Sequence, residues 1–154
     1  MTRFSHMTLL DPEFRPRLQR LLDEVEGAEL KLRLFETIRS PGRQSSLYGR
    51  GRNPMAPDFG RTVTKARAYG SLHQYGLAAD LVFFVDGEWT WEQPLPGDWD
   101  VFHGIARNCG LETLSFEKPH VQLPGIMVSE LKHGPDNEAG WLQWLTVRNA
   151  PDVA

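Results

Sequence analysis

Two short stretches of the chain bring together side chains capable of hydrolytic chemistry. In "SLHQYGLAADL", residues 71–81, His73 and Asp80 stand seven positions apart around a glycine and two alanines. In "FEKPH", Glu117 precedes His120 by three. Asp80 opens an apolar run, "LVFF", and on a period of two it shares a face with Ala78, Val82 and Phe84. A lone ionised carboxylate is costly on a packed strand, so Asp80 calls for an arginine, a hydrogen-bond network or a metal. Pro119 restricts Lys118 to an extended conformation, and the bend there can turn Glu117 and His120 toward one point.

Two imidazoles and one carboxylate form a three-ligand catalytic zinc set that leaves a fourth position for water. Neutral histidines and one carboxylate leave such a site with a net charge of about +1, which lowers the pKa of bound water toward ~7. A nearby carboxylate that does not ligate the metal can then act as general base, and Glu117 is placed for it. Spacing alone leaves the metal and the purely structural readings both open. His6 lies near the terminus, His103 inside a predicted helix and His133 at the end of another, where structural or solvent roles are expected. The five tryptophans are read as core or cover rather than as a sugar-stacking platform.

The elements that must position these residues are short. "DPEFRPRLQRLLDEVEG" reads as a helix capped by Asp11 and ended by Gly27, with Phe14, Leu18, Leu21, Leu22 and Val25 as its apolar stripe. "LKLRLFETIRS" alternates as a half-buried strand, with Leu30, Leu32 and Leu34 on one face and Arg33, Phe35, Thr37 and Arg39 on the other. Residues 43–52 read as a short helix, followed by a loop through "GRNPMAPDFG". "AADLVFFVDGEWTW" reads as a hairpin turning at Asp86-Gly87. Asp98 is expected to cap a helix bearing Trp99, Phe102, Ala106 and Cys109, with Gly110 beyond its end. "PHVQLP" reads as a strand, and "MVSELKHG" and "EAGWLQWLTV" as two closing helices. Strands and helices mix without βαβ alternation, which predicts an α+β fold in one domain spanning 1–154.

Bulk properties narrow the function. One cysteine, Cys109, excludes an internal disulfide and a cysteine-based zinc site. A net charge of −3 argues against a nucleic-acid partner. Seven basic residues and only Asp58 as an acid fall between Arg39 and Arg67, which suits either a solvated loop or a cationic rim beside an anionic substrate. The first residues contain no long apolar run, so neither a signal peptide nor a membrane span is expected.

"SLHQYGLAAD" resembles the S-x-H-x-x-G-x-A-x-D signature of zinc peptidases related to D-alanyl-D-alanine carboxypeptidases. Among these it looks most like the L-alanyl-D-glutamate endopeptidases of bacteriophage lysis and cell-wall turnover. "FEKPHVQLPG" is similar to that branch's second metal segment. "ETIRSPGRQSSLYGRGR" and "VTKARAYGSLHQYGLAADLVFFVDGEWTW" match in the same order, so the resemblance covers about residues 10–132.

The resemblance implies His73, Asp80 and His120 as ligands of one zinc ion, Glu117 as base and Arg39 as donor to the scissile carbonyl. It also implies Ser71, Gln44 and Arg39 as substrate contacts, and the small α+β fold shared with the hedgehog signalling domain, an antiparallel sheet flanked by helices. The implied partner is the peptidoglycan stem peptide, reached from the cytoplasm through a holin-type pore or by particle delivery, with no oligomer expected. Two departures stand out. The loop that many relatives carry after "GLE" is shortened here, and the base is glutamate where near relatives often have aspartate. Rival expectations are a D-Ala-D-Ala carboxypeptidase and a non-catalytic zinc-stabilised wall-binding module that would need neither Glu117 nor Arg39.

Overall fold

The computed structural model describes residues 1–52 and 62–151. The expected loop after residue 52, with Asp58 and Arg61 of the basic stretch, lies mostly outside them. In order the elements are α1 (Phe14–Gly27), β1 (Leu32–Glu36), α2 (Pro41–Gly49), β2 (Ala78–Val85), β3 (Glu88–Thr90), α3 (Asp98–Asn108), β4 (Glu112–Leu114), β5 (Glu117–Gln122) and α4 (Glu138–Arg148). Single 3-10 turns occupy Leu72–Tyr75 and Val128–Glu130. The strands form one antiparallel sheet in the order β1-β2-β5-β4, with β3 also paired to β2. This is the α+β architecture that the sequence predicts.

Helix α1 buries Phe14, Leu18, Leu21 and Val25, the period-3.6 stripe read from the sequence. Each contributes about 1.5–3 kcal/mol by leaving water. Asp11, the expected cap, stands two residues ahead of the Glu13 cap position, yet its Oδ1 accepts from the backbone N–H groups of Glu13 and Phe14 at 2.8 and 3.4 Å. Trp99, Phe102 and Ala106 of α3 join the same core, with Trp99 packed edge-on to Phe83 of β2 at 4.6 Å between centroids. Leu81, Phe83 and Val121 belong to this core face, and by strand alternation Asp80, Val82 and His120 face the other way. At Asp86-Gly87 both residues have positive φ, 53° and 81°, as a two-residue primed turn demands.

Several local expectations change. Asp98 is the first residue of α3 rather than its cap: Gly97 precedes the helix, and the Asp98 carboxylate turns back to accept from Leu95 N–H at 3.0 Å. Gln93 Oε1 takes the Trp99 N–H instead. The first of the two closing helices shrinks to the Val128–Glu130 turn. Its neighbours are held individually, since Tyr69 stacks on His133 at 5.0 Å and donates its hydroxyl proton to the Pro135 carbonyl. His133 therefore ends no helix. Helix α2 starts at Pro41 and ends at Gly49, two to three residues ahead of the expected span, because Ser40 caps it by accepting from Arg43 N–H. Strand β4 was not apparent from sequence; it forms a hairpin with β5 around Ser115-Phe116, at the place of the shortened loop.

Candidate metal centre and cleft

Three adjacent strands carry the site in one row. Glu36 of β1 lies opposite Asp80 of β2, and Asp80 lies opposite His120 of β5. A bulge makes the first pairing: the register shifts between Leu34 and Glu36, so Phe35 is the extra residue and Glu36 comes round to face Asp80. That shift breaks the expected alternation, and Thr37 turns inward, fully buried. A second irregularity spans Lys118–His120, between the pairs Leu114↔Glu117 and Thr113↔Val121. His103 of α3 pins it, with Nε2 2.8 Å from the Lys118 carbonyl. The bent strand brings Glu117 Oε2 to 3.6 Å from His120 Nδ1.

His73 comes from the 3-10 turn beside β2. Ser71 and Gln74 form a capping box around it, and Ser71 Oγ accepts from His73 N–H at 3.3 Å. Gly76 ends the turn at φ 71°, where a Cβ would meet Leu9 O at 2.7 Å and Asn149 Nδ2 at 2.6 Å. Only glycine fits there.

His73, Asp80 and His120 each direct a ligand atom to a common point, all within 4.8 Å of one another. Asp80 Oδ1 is 3.4 Å from His73 Nε2 and 3.3 Å from His120 Nδ1. Tetrahedral ligands about 2.0–2.1 Å from a zinc ion stand roughly 3.3–3.4 Å apart, so these separations suit such an ion. The rings are fixed from behind. His73 Nδ1 is 2.7 Å from the Thr37 carbonyl, which can only accept, so the hydrogen sits on Nδ1 and the Nε2 lone pair faces Asp80.

His120 Nδ1 is the one buried side-chain nitrogen or oxygen with no hydrogen-bond partner among the described residues. A buried polar atom left without a partner is costly, and a cation at this point would satisfy it. The residues present therefore fit a divalent metal. Burial opposes the charged form of Asp80, but His73 and His120 outweigh it and hold the carboxyl well below the usual range. Burial likewise opposes a charged His120, but Asp80, Gln122 and Glu117 together push its pKa up. The site thus has the electrostatics of a cation binder.

The centre lies in a cleft of about 840 Å³. Arg39, Arg43, Arg50 and Lys65 supply cationic groups to its lining, and Phe35, Trp91 and Phe116 aromatic ones. Of the tryptophans, Trp99 and Trp141 are core, as expected, while Trp91 is more than half exposed at the cleft. Arg39 donates from Nε and Nη2 to Glu36 Oε1 at 2.9 and 2.7 Å, from Nη2 also to Asp80 Oδ2 at 3.3 Å, and from Nη1 to Gln44 Oε1 at 3.0 Å. Ser71 reaches the cleft lining.

Gln44 does not reach it. Fully buried, Gln44 accepts from Arg39 and Gln74 and donates to the Ala66 carbonyl at 2.7 Å and to Thr64 Oγ1 at 3.5 Å, so its hydrogen-bonding capacity is used inside the protein. Its place is under Arg39, not against a substrate. Glu36 is the residue that the sequence did not single out for the site. It is 1% exposed, paired with both Arg39 and Arg43. Burial alone would raise its pKa, but the two guanidinium groups outweigh burial and lower it. Its spacing of three from Arg39 offers a structural ion pair as the alternative role for that arginine, but the strand alternation hid the place of Glu36 in the site row.

No family model matches the chain, and no curated protein matches it. Solved structures that share its fold include the following two. An L,D-carboxypeptidase, DacB from Streptococcus pneumoniae, superimposes with a TM-score of 0.54 at 21% identity, over 79% of this chain and 70% of that one. The L-Ala D-Glu endopeptidase ChiX of Serratia marcescens gives 0.50 at 20%, over 79% of this chain and 90% of that one. The α+β fold is thus one also found in an L,D-carboxypeptidase and an L-Ala D-Glu endopeptidase.

Proposed function

We propose that this chain is a zinc-dependent peptidase that hydrolyses an amide bond in the peptidoglycan stem peptide, most closely an L-alanyl-D-glutamate endopeptidase. The observation that carries the proposal is the convergence of His73 Nε2, Asp80 and the orphaned His120 Nδ1 in a cleft that Glu117 also lines. Bound there, zinc would polarise the scissile carbonyl and acidify water. Glu117, whose side chain is 43% exposed, takes the proton of the attacking water and delivers it to the leaving amine nitrogen. Arg39 commits four of the five N–H bonds of its guanidinium to Glu36, Gln44 and Asp80, which leaves one Nη1–H for the substrate carbonyl oxygen. Ser71 orients the His73 turn through its cap. The cationic side of the cleft suits a stem peptide, which carries several carboxylates.

The presence of both Glu117 and Arg39 at the centre favours an enzyme over a metal-stabilised binding module, which needs neither. Digestion of purified sacculi by the zinc-loaded protein, followed by mass spectrometry, tests the reading. New amino-terminal D-glutamyl residues are expected. Release of free D-alanine alone would make the activity a carboxypeptidase, and unchanged muropeptides would defeat the hydrolase reading.

A further inference from the structure

The geometry points to Gln122, held by Glu112, as the positioning residue that selects which nitrogen of His120 faces the centre; this rests on His120 being a metal ligand. Gln122 follows His120 by two on β5, so both project from the same face of the strand. It lies directly opposite Glu112 of β4 in the sheet register. Its Oε1 is 2.7 Å from His120 Nε2, and its Nε2 is 3.4 Å from Glu112 Oε2.

The chemistry of the far end decides the near end. An ionised carboxylate only accepts, so the amide must turn its NH2 toward Glu112; the reverse orientation would oppose two acceptor oxygens at 3.4 Å. The amide oxygen then faces His120, and the hydrogen of the neutral ring must sit on Nε2. The lone pair consequently lies on Nδ1, the buried atom that has no hydrogen-bond partner among the described residues. With the hydrogen on Nδ1 instead, it would point at Asp80 Oδ1, 3.3 Å away, and obstruct any cation. The chain thus uses opposite tautomers at the two histidines of the centre: the Thr37 carbonyl frees Nε2 of His73, and the Glu112–Gln122 pair frees Nδ1 of His120.

Two readouts test this. In zinc-free protein, imidazole 15N shifts of the neutral form of the His120 ring should show its hydrogen on Nε2. In Gln122→Met, which keeps the volume but removes the acceptor, the tautomers should mix. Zinc affinity, measured by competition with a chromophoric chelator, should fall about 10–100-fold, the usual cost of losing such a partner. The exchange Glu112→Gln with Gln122→Glu restores an acceptor facing His120 and a donor behind it, and should return both readouts toward the parent. A hydrogen on Nδ1 in the parent protein, or Gln122→Met with unaltered tautomer and affinity, overturns the proposal. If the parent binds no zinc, the metal reading fails on its own, and the 15N spectrum still decides the role of Gln122.

Discussion

Glu36 and Asp80 face each other across β1 and β2, and one nitrogen of Arg39 joins them: Nη2 lies 2.7 Å from Glu36 Oε1 and 3.3 Å from Asp80 Oδ2. The Arg39 side chain is 11% exposed and that of Glu36 only 1%, so this is an ion pair withdrawn from water. Glu36 holds Arg39 where it can serve the cleft and offsets the charge of Arg43 as well.

Removing Glu36 should therefore be severe. Glu36→Ala takes the carboxylate from Arg43 and leaves Arg39 with only the longer contact to Asp80 as an ion pair, and loss of one partner from such a buried network costs about 3–5 kcal/mol. Chemical denaturation should show that loss as a lower midpoint. The pH dependence follows from the sign of the shift. Because the folded pKa lies below the ordinary 4.5, the contribution of Glu36 is complete above that value and disappears as pH falls through the folded one. Below pH 4.5 the parent should thus lose part of its advantage over the mutant.

Glu117→Gln should separate binding from turnover. The amide cannot take a proton, so kcat should fall by about 10²–10⁴-fold while zinc content stays near the parent's. Metal analysis beside a muropeptide assay checks both halves. Turnover that survives the change would remove Glu117 from the proton transfer.

Zinc should stabilise the fold. At a free concentration a hundred times its Kd, an ion that binds only the folded state adds about 2.7 kcal/mol, visible as a rise in Tm that chelator reverses. His73→Ala or Asp80→Asn should abolish the rise. A chelator without effect on the Tm of metal-loaded protein would count against the site.

Cys109 should be chemically silent. Burial, with Glu24 Oε2 3.4 Å from Sγ, pushes its pKa up to about 11. The thiolate is then scarce near neutral pH, and the side chain is only 4% exposed. A thiol reagent at pH 8 should label the native protein far more slowly than the protein in denaturant; equal rates would contradict this environment.

The sequence was most legible where a pattern repeats. The α1 stripe, the Asp86-Gly87 turn and the apolar run of β2 all follow from periodicity or turn chemistry, whereas spacing alone left the metal reading of His73, Asp80 and His120 open and only the resemblance implied them as one ligand set. It was less legible where a single residue breaks the pattern. The bulge at Phe35 places Glu36 in the site row although strict alternation sets it on the opposite face. Strand β4 has three residues, too few to display a period. Asp98 looks like a cap by type, but Gly97 at φ 88° already turns the chain into α3. Gln44 carries the residue type of a substrate contact, yet its amide is consumed by Arg39, Gln74, Thr64 and Ala66, which only the fold brings together.

Gly76 ties the His73 turn to two remote parts of the chain. Asn149 donates through Nδ2 to the carbonyls of Leu9 and Tyr75, at 2.8 and 3.0 Å, and Trp141 of α4 donates to the Gln74 carbonyl at 2.9 Å. During synthesis on the ribosome, a nascent chain that has already exposed His73, Asp80 and His120 still lacks the buttress behind the first of them. Maturation of the centre thus waits for the final helix to emerge, and a polypeptide truncated before residue 141 would hold every candidate ligand yet leave one of them unsupported.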